Sequence, residues 1–189
     1  MELNGERTIS ASVPDTWAAL NDPETLKACV AGCESLERVA ADAFAAVVAM
    51  RIGPVSARFK GNLKLSNVQA PTSYTINFDG QGGVAGFGKG SADVSLAAID
   101  RITTRLAYQA RATVGGKMAQ IGSRLVDAAA AKITDDFFAA FEAQLLARAP
   151  TEVRAAAALA PRVREPAGAL GWALAAVVVL VTLAIIAWH

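Results

Sequence analysis

The spacing of hydrophobic residues changes several times along the chain, and each change marks an element boundary. Glu2 to Ser12 carries a mixed pattern and reads as a strand. Pro14 suits the first turn of a short helix that buries Trp17 and Leu20, because the first turn leaves its N–H groups unbonded anyway. Asp22-Pro23 starts a second short helix through Leu26 and Val30, which Gly32 ends. The period then becomes two. Phe44, Ala46, Val48 and Met50 alternate with smaller or charged neighbours, and Gly53-Pro54 turns the chain. The cleanest run follows, with Val55, Ala57, Phe59, Gly61, Leu63 and Leu65 on one face and Ser56, Arg58, Lys60, Asn62, Lys64 and Ser66 on the other. That is a half-buried antiparallel strand with one wet face. Tyr74, Ile76 and Phe78 repeat the pattern after a turn at Ala70-Pro71-Thr72. A glycine-rich stretch, Gly80 to Gly90, leads into Ala92, Val94, Leu96 and Ala98. A turn at Asp100-Arg101 then precedes a last strand with Ile102, Thr104, Leu106, Tyr108, Ala110 and Ala112 on one face. Consecutive strands with short links predict an antiparallel meander of about six strands.

From Lys117 the period turns helical. Met118, Ile121, Leu125, Ala129, Ile133, Phe137, Phe141 and Leu145 step by three and four, predicting one amphipathic helix that Pro150 ends. The expected order is strand, two short helices, meander and one long helix. A curved sheet with one apolar face buries it against such a helix, so the fold class is α+β. Two layers of this kind often leave a cavity between them.

Beyond the helix the composition shifts twice. Residues 148–166, rich in Ala, Pro and Arg, read as a linker, and 167–188 read as a membrane anchor. The latter carries no charge and is long enough as a helix to cross a hydrocarbon core of about 30 Å. Trp172 and Trp188 stand near its two ends, where indoles prefer the interface. Arg154, Arg162 and Arg164 precede it and only His189 follows. The positive-inside tendency therefore predicts a single-pass protein of the cytoplasmic membrane, its domain of residues 1–147 facing the cytoplasm. The start, MELNGERTIS, has no apolar core of a signal peptide.

Charge and chemistry narrow the function. The formal net charge of +1 offers no basic field for nucleic acid. Gly83 to Lys89 spells the G-x4-G-K of a phosphate loop, but Gly90 stands where Ser or Thr should ligate magnesium, and a strand pattern follows where a helix is needed. Gly80-Gln81-Gly82 with Ala85 mimics a dinucleotide fingerprint and fails for the same reason. Cys29 and Cys33 have no further cysteine, and the one histidine is His189, so no tetrahedral metal set and no Ser-His or Cys-His pair can form in the domain. Both cysteines read as small free thiols. Asp135-Asp136 points two ways on a helix and makes no carboxylate dyad. The expectation is a protein that is not an enzyme.

The residues also resemble a known family. The segments MELNGERTISASVPDTWAALNDPETLKACVAGCESLE, RIGPVSARFKGNLKL and GFGKGSADVSL are similar to the carbon monoxide dehydrogenase G-subunit family, within the START/polyketide-cyclase helix-grip superfamily. Family members usually have proline where Ala31 stands, which implies a slightly looser turn here. The resemblance implies a helix-grip domain over residues 1–147 and a non-catalytic partner of a molybdenum-containing carbon monoxide dehydrogenase. Such proteins are thought to bring the enzyme to the cytoplasmic membrane and connect it to the quinone pool. It also implies a hydrophobic ligand, with an isoprenoid quinone (menaquinone or ubiquinone) or another lipid as the natural occupant. On the alternation above, the expected cavity wall is Phe59, Leu63, Phe78, Phe87, Leu106, Tyr108, Met118, Ile121 and Leu125, with Tyr108 the one hydrogen-bond donor toward a quinone carbonyl. Two other readings stay open: a recruitment scaffold with a filled core, and an enzyme acting on a hydrophobic substrate.

Overall fold

The computed structural model describes residues 2–148. The segment expected as a membrane anchor, and the linker beyond Arg148, lie outside these residues. Among the described residues no helix is long and apolar enough to cross a membrane.

β1 (Glu2–Ile9) is followed by α1 (Val13–Leu20) and α2 (Pro23–Cys29). The strands β2 (Cys33–Ala40), β3 (Ala43–Ile52), β4 (Val55–Gln69), β5 (Ser73–Gln81), β6 (Phe87–Ala98) and β7 (Thr104–Gly115) come next. A 3-10 turn, Gly83–Ala85, lies between β5 and β6, and the described residues end with α3 (Lys117–Gln120) and α4 (Ser123–Arg148). All seven strands form one antiparallel sheet in the order β1-β7-β6-β5-β4-β3-β2. β1 and β2 are the two edges, so α1 and α2 carry the chain from one edge of the curved sheet to the other, and α4 packs across its inner face.

Local chemistry sets the helix starts. The Ser12 hydroxyl accepts from the Asp15 N–H at 3.3 Å, and the Asp22 carboxylate accepts from Glu24 and Thr25 N–H at 3.3 Å each. Pro14 and Pro23 occupy the first turns as expected. Asp22 also accepts from Arg148 at 3.1 Å, which ties the end of α4 to the start of α2. The Thr25 hydroxyl and these other donors hold the Asp22 carboxyl below its usual value. The turn containing Ala31 is held by backbone bonds from Cys33 N–H to Val30 at 3.1 Å and from Ala49 N–H to Gly32 at 2.9 Å.

The meander appears in the expected order, and β6 follows the glycine stretch where a nucleotide motif would need a helix. Two expectations are corrected. The opening strand stops at Ile9, and Ser12 already caps α1. The long helix is broken: Gly122 adopts φ +92, a left-handed conformation, between the end of α3 and the start of α4. The buried stripe of α4 is Val126, Ala130, Thr134, Phe137, Phe138, Phe141 and Leu145. Leu125, Ala129 and Ile133 fall to its side.

Candidate functional site

The interior is divided along the strands. Toward α3 it is filled: Ile52, Phe59, Phe78, Ala85, Ala112, Met118 and Val126 pack into a continuous core. Phe78 fits there because Gly90 opposite it has no side chain; a Cβ at that position would stand 2.7 Å from the Phe78 ring. That steric need, and no phosphate, explains a glycine of the stretch that mimics nucleotide motifs.

Toward α1 and α2 the packing leaves an apolar cavity of about 90 Å³. Its floor is the inner face of the sheet: Leu36 on β2, Phe44 on β3, Leu63 and Leu65 on β4, Tyr74 and Ile76 on β5, Val94 on β6, Leu106 and Tyr108 on β7. Leu20, Leu26 and Val30 close it from α1 and α2, and Phe137 and Phe138 from α4. The register explains the grouping, because Tyr74 pairs with Val94, Val94 with Tyr108, and Leu65 with Ile76 across adjacent strands. Trp17 meets Tyr74 edge-on at 5.2 Å, so α1 is anchored on the same aromatic.

Three of the nine expected wall residues, Leu63, Leu106 and Tyr108, line this cavity. The other six lie elsewhere in the domain. Phe59, Phe78 and Met118 are buried in the filled half. Phe87 is half-buried, its ring so near Gly115 that a Cβ there would meet it at 2.1 Å. Ile121 is half-buried against the same filled core. Leu125 is 44% exposed and lies over Gly53. Leu65, Tyr74, Ile76 and Val94 were already inward-facing by alternation. Alternation says which face a residue takes and nothing about which end of that face is hollow. Phe44 also falls on the alternating face of its strand, whereas Leu20, Leu26 and Val30 reach the cavity through the crossing of α1 and α2, which strand periodicity does not encode, and Leu36 lies on β2, a strand the alternation leaves unmarked.

One polar corner borders the apolar wall. The Tyr108 hydroxyl is buried and has no hydrogen-bond partner. Burial drives its pKa well above the ordinary tyrosine value, slightly opposed by Arg7, so the group is a neutral O–H donor. Arg7 on β1 pairs with Asp135 on α4 and lies 5.6 Å over the Phe138 ring. Its Nε is buried without an acceptor, and the Thr134 hydroxyl, fully buried on the adjacent α4 position, also lacks one. Partial desolvation raises the Glu142 carboxyl, at an exposed position two turns on, against the pull of Arg7. Unmade hydrogen bonds of this kind cost about 1–3 kcal/mol each. A ligand oxygen at Tyr108 would remove one such cost. Cys29 is buried and Cys33 half-buried, both as free thiols. Among the described residues no group of three or more His, Cys, Asp or Glu side chains could hold a metal ion.

Known structures share this architecture. A conserved protein from Geobacillus kaustophilus is 30% identical with a TM-score of 0.72, over 77% of this chain and 95% of that one. An aromatase/cyclase from a Streptomyces species aligns with a TM-score of 0.59 at 11% identity, over 80% of this chain and 97% of that one. A START superfamily protein from Mycobacterium smegmatis aligns with a TM-score of 0.57 at 12% identity, over 76% and 96%. The last two likenesses concern the fold alone. No curated protein matches the sequence. Residues 5–146 match the family model of the carbon monoxide dehydrogenase G-subunit (CoxG), and the chain belongs to that family.

Proposed function

We propose that this protein carries a hydrophobic ligand with an acceptor oxygen, an isoprenoid quinone, on behalf of a molybdenum-containing carbon monoxide dehydrogenase at the cytoplasmic membrane. The observation that supports the reading is the apolar cavity whose wall holds one buried, unpartnered donor, the Tyr108 hydroxyl. An apolar wall with one donor suits a molecule that is hydrocarbon almost everywhere and polar at a ring carbonyl. Family membership supplies the enzyme partner, and the apolar segment 167–188 supplies the tether. The tether keeps the domain near the lipid source and raises the effective concentration of ligand. The protein performs no catalytic step of its own in this reading.

Size constrains the mechanism. An apolar cavity of roughly 150 Å³ admits a benzene ring, and this one measures about 90 Å³. A quinone ring therefore enters only as part of the wall moves outward, so loading and unloading are conformational steps. The small volume also favours a second reading, a scaffold that recruits the dehydrogenase and carries nothing. Mass spectrometry of lipids co-purifying with residues 1–148 separates the two. A stoichiometric quinone supports the carrier. A domain that is empty as purified and stays empty after incubation with quinone leaves the scaffold.

A further inference from the structure

Four segments meet at the end of the domain opposite α1 and α2: the β3–β4 turn, the 3-10 turn, α3 and the first turn of α4. Their contacts are close. A Cβ on Gly116 would stand 2.3 Å from the Gly86 Cα, and one on Gly53 would stand 2.5 Å from the Leu125 side chain. Ile52, Ala85 and Met118 share the core beneath them. On the outside Val84 is 83% exposed at the tip of the 3-10 turn, Leu125 is 44% exposed, and Pro54 is exposed beside them.

Charge on these segments is one-sided. Across residues 51–56, 80–88 and 114–126 the charged side chains are Arg51, Lys117 and Arg124, with no Asp or Glu, although the chain as a whole has 18 Lys and Arg against 17 Asp and Glu. All three cations are exposed. None has a carboxylate partner among the described residues. Arg51 is held over the turn by a bond from its Nε to the Gly53 carbonyl at 3.4 Å. The next carboxylate along α4 is Asp127, half-buried one turn beyond Arg124. Projecting aliphatic tips among unpaired cations match a surface that is negative outside and apolar beneath. A protein partner would ask for aromatic anchors or a receiving pocket. The only aromatic residue on these segments is Phe87, which packs inward.

We infer that this end of the domain, built on Val84, Leu125, Arg51, Lys117 and Arg124, docks on an anionic lipid surface. It is a contact separate from the apolar tail and from the cavity, and shares no residue with either. Each cation at such a surface contributes roughly a fivefold factor in partitioning, and the attraction weakens as salt rises.

Flotation of residues 1–148 with vesicles of phosphatidylcholine, with and without phosphatidylglycerol, tests it. The domain is expected to float with the anionic vesicles only, and less at high salt. Lys117→Glu with Arg124→Glu should lower binding at least tenfold, and Val84→Asp should lower it severalfold. Val39→Asp, at a 60% exposed site on β2, should leave it unchanged. All these positions are on the surface, and unchanged thermal unfolding and cavity occupancy confirm that a loss is local. Absence of flotation with anionic vesicles overturns the inference, as does binding that the charge reversals do not weaken. Capture of this face by an acidic protein with no vesicle binding would also overturn it.

Discussion

Tyr108 and Phe138 stand across one end of the cavity with ring centroids 6.2 Å apart and planes tilted by 30°, and the Tyr108 hydroxyl beyond them has no partner. An unsatisfied hydroxyl in this position costs the empty protein stability and offers a ligand a hydrogen bond. Tyr108→Phe therefore separates the two roles. Stability should stay level or rise by up to about 1 kcal/mol, while quinone affinity falls by about 5–10-fold, the net worth of one hydrogen bond. Urea unfolding and a quinone titration measure both. Unchanged affinity would remove Tyr108 from the recognition of the ligand.

Val94 sits between Tyr74 and Tyr108 in the sheet and faces the cavity. Val94→Phe places a ring in the void. Overpacking in a full core costs about 1–3 kcal/mol; here the void accepts part of the ring, so the cost should sit at the lower end. Quinone binding should fall more than tenfold. Leu125→Ala, outside the cavity, should leave binding unaltered. If Val94→Phe still binds quinone as the wild type does, the ligand lies elsewhere.

The sheet was largely legible from the chain because its signal is local. Val55 to Leu65 alternate with polar and charged residues, and the observed burial follows that alternation residue by residue. The α+β architecture followed from element order. The site was legible only in part, for two physical reasons. The stripe expected for α4 steps by four from Leu125 to Phe141, and each such step drifts about 40° around a helix of about 3.6 residues per turn, so Leu125 leaves the face that buries Phe137 and Phe141 while Phe138 joins it. The location of the void depends on how α1 and α2 cross the sheet. The Phe59–Met118 end is filled by α3 and the 3-10 turn, whereas Leu20 and Leu26 only bridge the other end.

The phase of α4 gives a direct test. Phe141 is fully buried and stacks on Phe137 with centroids 5.7 Å apart. Phe141→Ala should cost about 3–5 kcal/mol. Leu125→Ala, at a site 44% exposed, should cost less than about 1 kcal/mol. A single unbroken stripe would make both substitutions severe. Comparable losses for the two in denaturant unfolding would count against this buried face of α4.

Gly32 has φ +78, and a Cβ there would stand 2.1 Å from the Ala49 carbonyl oxygen. The same turn carries the Ala49 N–H to Gly32 carbonyl bond at 2.9 Å, which seats α2 on β3. A non-glycine residue in the left-handed region costs roughly 1–2 kcal/mol before any clash. Gly32→Ala should therefore lose more than about 2 kcal/mol, read as a shifted urea midpoint. A smaller loss would mean that β3 yields at Ala49.

Cys29 ends α2 and is 3% exposed, and burial pushes its thiol up from 9.0 to about 11, with Arg148 pulling the other way. In the unfolded chain the thiol ionises near its ordinary value, so above pH 9 the unfolded state binds fewer protons than the folded one. Stability from this group is then level below pH 9, falls between pH 9 and 11, and flattens above. The full loss is up to about 2–3 kcal/mol at roughly 1.36 kcal/mol per pH unit. Tyr74 and Tyr108, whose pKa values burial also raises, steepen the alkaline decline in any variant that retains them. Comparison with Cys29→Ala isolates the thiol. Between about pH 8 and 10.5 the melting temperature of the wild type should drop further than that of the variant. Equal drops would show that the Cys29 thiol ionises in the folded protein as readily as in the unfolded chain, and that α2 opens to water at that point.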